Sequence, residues 1–116
     1  MTSFCKYDVV VVKFPFASSL KYKARPAVII SDKFYNTNSR DTIIILAISS
    51  KIDTKLDFEI EIKEWQKAGL LKPSLFKSSI ATIEKDFIIT KLGSLEECDK
   101  NSLENLIRKI LNESTI

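Results

Sequence analysis

The chain alternates short apolar runs with polar punctuation, and most of the runs have strand length. Residues 7–14 hold four valines in a row, Val9 to Val12. That run is too continuously apolar for a fully solvated face, which predicts a first strand covered on both sides. Pro15 ends it. A polar loop follows over 17–25, containing Lys21, Tyr22 and Lys23 and closing on Arg25-Pro26. Residues 27–31 predict a second strand, and 42–48 a third that ends at Ser49-Ser50-Lys51. Between them 32–41, with Asn36, Asn38 and Ser39, reads as turn. Phe58, Ile60 and Ile62 then alternate with Asp57, Glu59 and Glu61. This is the pattern of a strand with one apolar face and one solvated acidic face. A helical turn is expected over 64–68, with Gly69 to stop it, followed by strands over 78–83 and 87–92. The only helix-length stripe is C-terminal. Leu103, Leu106, Ile107, Ile110 and Leu111 recur at helical spacing and predict a helix over 99–112 lying on a core. Short strands with one terminal helix predict a mainly β fold, a small, strongly bent antiparallel sheet or barrel capped by the helix. The lack of alternating helices argues against a doubly wound α/β fold.

With 116 residues and no repeat or linker, the chain suits one domain spanning 1–116, and 45% hydrophobic residues supply its core. No apolar run approaches the roughly 20 residues of a membrane-spanning helix. The first six residues lack the pattern of a signal peptide. Cys5 and Cys98 are too few for a disulfide framework or a zinc site, so the expected compartment is the reducing cytoplasm. A net charge of +3 permits nucleic-acid binding without arguing for it. The absence of histidine is more restrictive. It removes Ser-His-Asp and Cys-His nucleophiles, His metal sites and His acid–base pairs. Chemistry is left to Arg, Lys, carboxylates, hydroxyls and backbone donors.

Within those limits Arg25-Pro26 is the most informative junction. Proline fixes its own φ and biases the preceding residue to extended geometry, so Arg25 is a guanidinium on a stiffened backbone. The chain has three arginines against fifteen lysines. An arginine at the edge of a strand offers the planar fork that grips phosphate or carboxylate.

Read in order, Tyr7-Asp8-Val9-Val10-Val11-Val12, Phe14-Pro15-Phe16, Arg25-Pro26-Ala27-Val28-Ile29-Ile30-Ser31 and Ala47-Ile48-Ser49-Ser50 resemble the MazF/PemK (Kid) family of toxin ribonucleases. Ala68-Gly69-Leu70, Lys72-Pro73-Ser74, Ala81-Thr82-Ile83 and Leu92-Gly93-Ser94-Leu95 continue the series. The resemblance implies an SH3-like barrel, a homodimer, metal-independent cleavage of single-stranded RNA without a cofactor, and neutralisation by a cognate antitoxin. Operator DNA, bound as the toxin–antitoxin complex, is a further implied partner; a membrane is not. Three positions depart from the family pattern. Tyr7 stands where glycine is usual and Ser49 where threonine is usual. Ser78, Ser79 and Ala81 stand where many members carry an acidic residue and a second arginine.

Arg25 and Ser49 are the expected catalytic pair, the first stabilising charge on phosphate and the second donating a hydrogen bond or orienting the 2′-OH. Lys21, Lys23, Ser50, Lys51, Lys77 and Thr82 are expected along the RNA path, with Tyr22 able to stack on a base. Asp8 and the acidic face of Asp57, Glu59 and Glu61 are poor candidates for a base, and the acid and base stay unassigned. Two rival readings share the fold. One is a CcdB-like toxin that binds gyrase without cutting RNA; the other is a degenerate member that binds only antitoxin or operator DNA.

Overall fold

The computed structural model describes residues 4–14, 23–52 and 57–111. Its elements are β1 (Asp8–Phe14), β2 (Lys23–Ile29), α1 (Lys33–Asn38), β3 (Thr42–Ser49), β4 (Ile60–Glu61), β5 (Leu75–Glu84), β6 (Ile88–Ser94) and α2 (Glu97–Leu111). The strands form one sheet in the order β4-β5-β3-β2-β1-β6, and every pairing is antiparallel. A mainly β architecture closed by a C-terminal helix is therefore what the chain adopts.

Successive side chains in a strand point to opposite faces, and in β1, β2 and β3 both faces are largely buried. Val9, Val28, Leu46 and Phe76 pack with Leu103 and Leu106 of α2 on one side. Val10, Val12, Ala27, Ile29, Ile43, Ile45 and Ile83 form a second core on the other. This is why the strands read as continuous apolar runs. Each fully buried Val, Leu or Ile contributes about 1.5–3 kcal/mol, so neither layer is dispensable. The stripe on α2 holds for Leu103 and Leu106, but Leu111 is 72% exposed, because the helix outruns the core.

Two expected elements differ. Residues 32–41 are not turn alone: Asp32 accepts a hydrogen bond from the Phe34 N–H at 2.8 Å and starts α1. Asn36 is buried, with its amide donating to the carbonyls of Phe4 (3.0 Å) and Ser31 (3.1 Å). The residues that read as turn formers are thus a helix cap and a satisfied core amide. The alternating strand over 57–62 shrinks to the two residues of β4, and its faces are reversed at the start. Phe58 is 45% exposed while Glu59 is buried.

The turn before β5 behaves as its glycine suggests. Leu70 N–H donates to the Trp65 carbonyl and Gly69 N–H to that of Gln66, both at 3.0 Å, with Gly69 at φ +95°. That is a Schellman closure. A Cβ on Gly69 would sit 2.3 Å from the Leu92 carbonyl oxygen, and one on Gly93 would sit 2.6 Å from that of Ala68. The chain's two glycines therefore permit one backbone-to-backbone approach between this turn and β6. The far end of the turn is held by Asp99 on α2, fully buried, whose carboxylate accepts from the N–H groups of Lys63 (2.8 Å) and Glu64 (2.9 Å).

Tyr7, at the position where the family resemblance expects glycine, adopts φ +78°. A left-handed tyrosine is strained, and its side chain is tied down. The phenol donates to Glu104 Oε2 at 2.5 Å, and Lys6 Nζ reaches the same oxygen at 2.8 Å. Burial opposes the charge on Glu104, but the bonds from Lys6 and Tyr7 outweigh it and hold the carboxyl below its usual value. Burial likewise works against the Lys6 ammonium, yet Glu104 raises its pKa. Burial and the Glu104 bond together push the Tyr7 phenol up.

These directions fix a pH signature. The stabilisation from Glu104 is complete above the ordinary value of 4.5 and is lost as pH falls through the lowered one. That from Lys6 and Tyr7 is complete below 10.5 and 10.0 and is lost as pH rises through the raised values. Glu104→Gln is expected to lower stability by about 1 kcal/mol at pH 7. In urea titrations across pH, the gap to wild type should close on both the acid and the alkaline side; a pH-independent gap would refute the linkage. Asp99→Ala, which strips two N–H groups of their acceptor, is expected to cost about 1–3 kcal/mol by the same measurement.

Candidate active site

The site lies where one ladder ends. β2 and β3 pair at Ala27–Ala47, Val28–Leu46 and Ile29–Ile45, and towards Arg25 the pairing goes no further. Two residues beyond the Ala27–Ala47 pair, on the same face, are Arg25 on β2 and Ser49 on β3. Had the ladder continued they would be direct cross-strand partners; instead the strands part and a pocket of about 180 Å³ opens between them. Arg25, Ser49, Lys51, Lys77, Ser79 and Phe14 line it. Its floor continues the second core, since Val12 and Ala27 precede Phe14 and Arg25 on that face.

The sequence placed Arg25 in a loop just before a strand. It is inside β2, because the pairs Val12–Arg25, Lys13–Ala24 and Phe14–Lys23 extend the strand back to Lys23. Pro26 is tolerated there because β3 no longer pairs at that position. Its missing N–H interrupts no bond on that side, and β1 alone flanks it through Val11.

Ser49 performs two tasks. Its Oγ accepts the Lys51 N–H at 3.1 Å, so it forms the turn that the serine-rich segment suggested, and it also lines the pocket. That bond fixes the hydroxyl's acceptor side and leaves its proton as the donor. Lys77 and Ser79 arrive by a different device. Between the pairs Ile48–Phe76 and Leu46–Ile80, β5 advances four residues while β3 advances two. The extra residues form a bulge, which re-aims side chains, and it delivers Lys77 and Ser79 to the pocket.

Of the other expected residues, Lys23 is exposed on β2 outside the pocket lining. Ser50 lines a separate groove with Val11, Pro26, Leu70, Leu71 and Leu92. Thr82 lies opposite Ile44 and alternates away from Ala81 and Ile83, so it is on the other face of β5. Lys21 and Tyr22 fall outside the described residues. Phe14 and Ser79 were missed as site residues. Phe14 was legible from its alternation with Val10 and Val12, but nothing in the sequence marks the bulge that brings in Ser79. Asp8 is committed to structure: it accepts from the Cys5 N–H (2.9 Å) and Ser94 Oγ (3.1 Å) and pairs with Lys91 (3.4 Å).

Chemically, the pocket sets a guanidinium and two ammonium groups around two hydroxyls, with no carboxylate among its described lining residues. Such a lining is suited to an anion with several oxygens, the guanidinium binding in a fork and the hydroxyls completing the shell.

The chain is similar to known proteins at two levels. A profile of the PemK-like, MazF-like toxins of type II toxin–antitoxin systems matches residues 6–111. No curated protein sequence matches. Among solved structures, MazF from Deinococcus radiodurans superposes with a TM-score of 0.77 at 13% identity, over 96% of this chain and 98% of that one. An endoribonuclease in complex with its cognate antitoxin, from a Mycobacterial species, gives 0.71 at 16% identity over 96% and 95%. The Mycobacterium tuberculosis toxin MazF-mt6 gives 0.68 at 19% identity over 88% and 93%. At these identities the superpositions establish a shared fold, and the profile, which spans nearly the whole chain, establishes kinship. The chain belongs to the PemK-like, MazF-like toxin family of type II toxin–antitoxin systems.

Proposed function

We propose that this chain is a metal-independent endoribonuclease toxin that cleaves single-stranded RNA and is neutralised by a cognate antitoxin. The observation that carries the reading is Arg25 facing Ser49 where the β2–β3 ladder ends, with Lys51 and Lys77 beside them. RNA brings its own nucleophile. The 2′-OH attacks the adjacent phosphorus, forms a 2′,3′-cyclic phosphate and expels a 5′-OH, and a well-oriented intramolecular attack of this kind is worth about 7–11 kcal/mol. The protein has to hold the backbone in line and stabilise the added negative charge. Arg25 grips two phosphate oxygens, and the Ser49 hydroxyl donates to a third or orients the 2′-OH. A lining of cations supplies that charge directly and repels a divalent ion, which is why the reading is metal-independent. A protein that acted only by binding gyrase would have no use for a guanidinium and a hydroxyl converging on one phosphate-sized site.

The relatives of known structure include toxins solved with antitoxins, and the reading takes an antitoxin, a second copy of the chain and, as a complex, operator DNA as partners in the cytoplasm. The test is incubation of the pure protein with single-stranded RNA in EDTA, followed by mapping of the ends. Cyclic-phosphate and 5′-OH ends are expected, with the rate falling about 10²–10³-fold in Arg25→Ala. Ser49→Ala should lose rate as well, while Ser49→Thr, which keeps the hydroxyl, should retain it. Intact RNA under conditions where the protein still arrests growth would refute the enzyme and direct attention to gyrase binding.

A further inference from the structure

The pocket holds no carboxylate among its described lining residues, yet a buried one faces the ammonium of one of its lysines. β4 runs against β5 with Ile60 opposite Phe76 and Glu61 opposite Leu75. One more step in that register sets Glu59 across from Lys77, and their charged groups are 3.9 Å apart. Glu59 is only 7% exposed, whereas the Lys77 side chain is 43% exposed and lines the pocket. Burying a carboxylate is costly unless a cation faces it. The bulge in β5 turns Lys77 towards the pocket, and its ammonium stays within reach of the Glu59 carboxylate. Lys51, by contrast, is exposed on the turn after β3. A lysine side chain carries about 2 kcal/mol of rotamer entropy, so a buried anion facing its ammonium restricts where that charge is found.

We propose that Lys77 is the proton donor to the 5′-oxygen leaving group and that Glu59 is the positioning residue that holds its ammonium over the pocket. The assignment rests on the endoribonuclease reading. In the step, the bond from 2′-O to phosphorus forms as the bond from phosphorus to 5′-O breaks, and the electron pair of the broken bond goes to 5′-O. That oxygen takes a proton from Nζ of Lys77. The 2′ proton passes to water, and the neutral amine is reprotonated from water, so the protein ends unchanged. An ammonium is a stronger acid than a guanidinium. Lys77 can therefore do what Arg25 does poorly, and the two cations divide the work: Arg25 stabilises charge and Lys77 delivers the proton.

The test uses two RNAs built around the cleavage site that wild type reveals, one with the natural linkage and one with sulfur in place of the bridging 5′-oxygen. A thiolate departs without a proton. Lys77→Ala should slow the oxygen substrate about 10²–10⁴-fold but the sulfur substrate less than about tenfold. Arg25→Ala should slow both. Lys77→Arg, which keeps the charge but is a weaker acid, should restore KM without restoring kcat on the oxygen substrate. Glu59→Gln should show the same oxygen-selective loss in smaller degree, a discrimination between substrates that simple unfolding cannot produce. Equal slowing of both substrates by Lys77→Ala would overturn the proton-donor role. Should Glu59→Gln leave both rates at the wild-type value, the positioning role is overturned. Failure of wild type to cut single-stranded RNA at all, so that no site is revealed, would refute the endoribonuclease reading itself, a result distinct from the other two.

Discussion

Everything in this domain depends on three central strands, β1 to β3, that are largely buried on both faces. With α2 on one side and a second apolar layer on the other, the interior of the sheet offers no place for a charged group. A polar site can form only where a ladder ends, and the β2–β3 ladder ends after Ala27 and Ala47. Arg25 and Ser49 are the first residues past that limit whose side chains share the face. The pocket is the continuation of a core by polar residues once its strands have separated.

The same economy governs how the helix is attached. α2 does more than cover apolar surface: Asp99 supplies the acceptors that the 64–68 turn would otherwise lack, and Glu104 binds the phenol of Tyr7. The first contact sets the turn, and the turn's Gly69 lies against β6 so closely that neither Gly69 nor Gly93 has room for a side chain. The second contact lets a tyrosine occupy a backbone region that glycine would enter without strain. A family position that is usually solved by removing the side chain is solved here by anchoring one.

How much of this was legible follows from which interactions are local. The apolar runs gave the strands because burial on both faces needs apolar residues at every position, and the α2 stripe gave its helix because packing repeats with the helical period. Arg25-Pro26 and Ser49 were legible because a proline and a serine-rich turn mark ends of elements. What escaped was non-local. Asn36 reads as a turn former until its amide is seen donating to the Phe4 carbonyl, far away in the chain. Glu59 reads as solvated until Lys77 is seen facing it. Thr82 was placed by landmark order, but a strand has two faces and the landmark does not say which one looks at the site. Ser79 depends on a bulge, which is a mismatch between two strands and therefore a property of neither alone.

The distribution of charge also changes the meaning of the modest net charge of +3. The buried carboxylates are committed elsewhere: Asp8 to the start of β1 and to Lys91, Asp99 to backbone N–H groups, Glu59 to the back of Lys77. The described residues that line the pocket include Arg25, Lys51 and Lys77 and no acidic side chain. A polyanion approaching this surface meets the cations first, since the field near a cleft is set by the charges that line it more than by the total. The balance sheet of the whole chain understates the pull of its site, and for the same reason removing a pocket cation should matter far more than removing a lysine from the surface of α2.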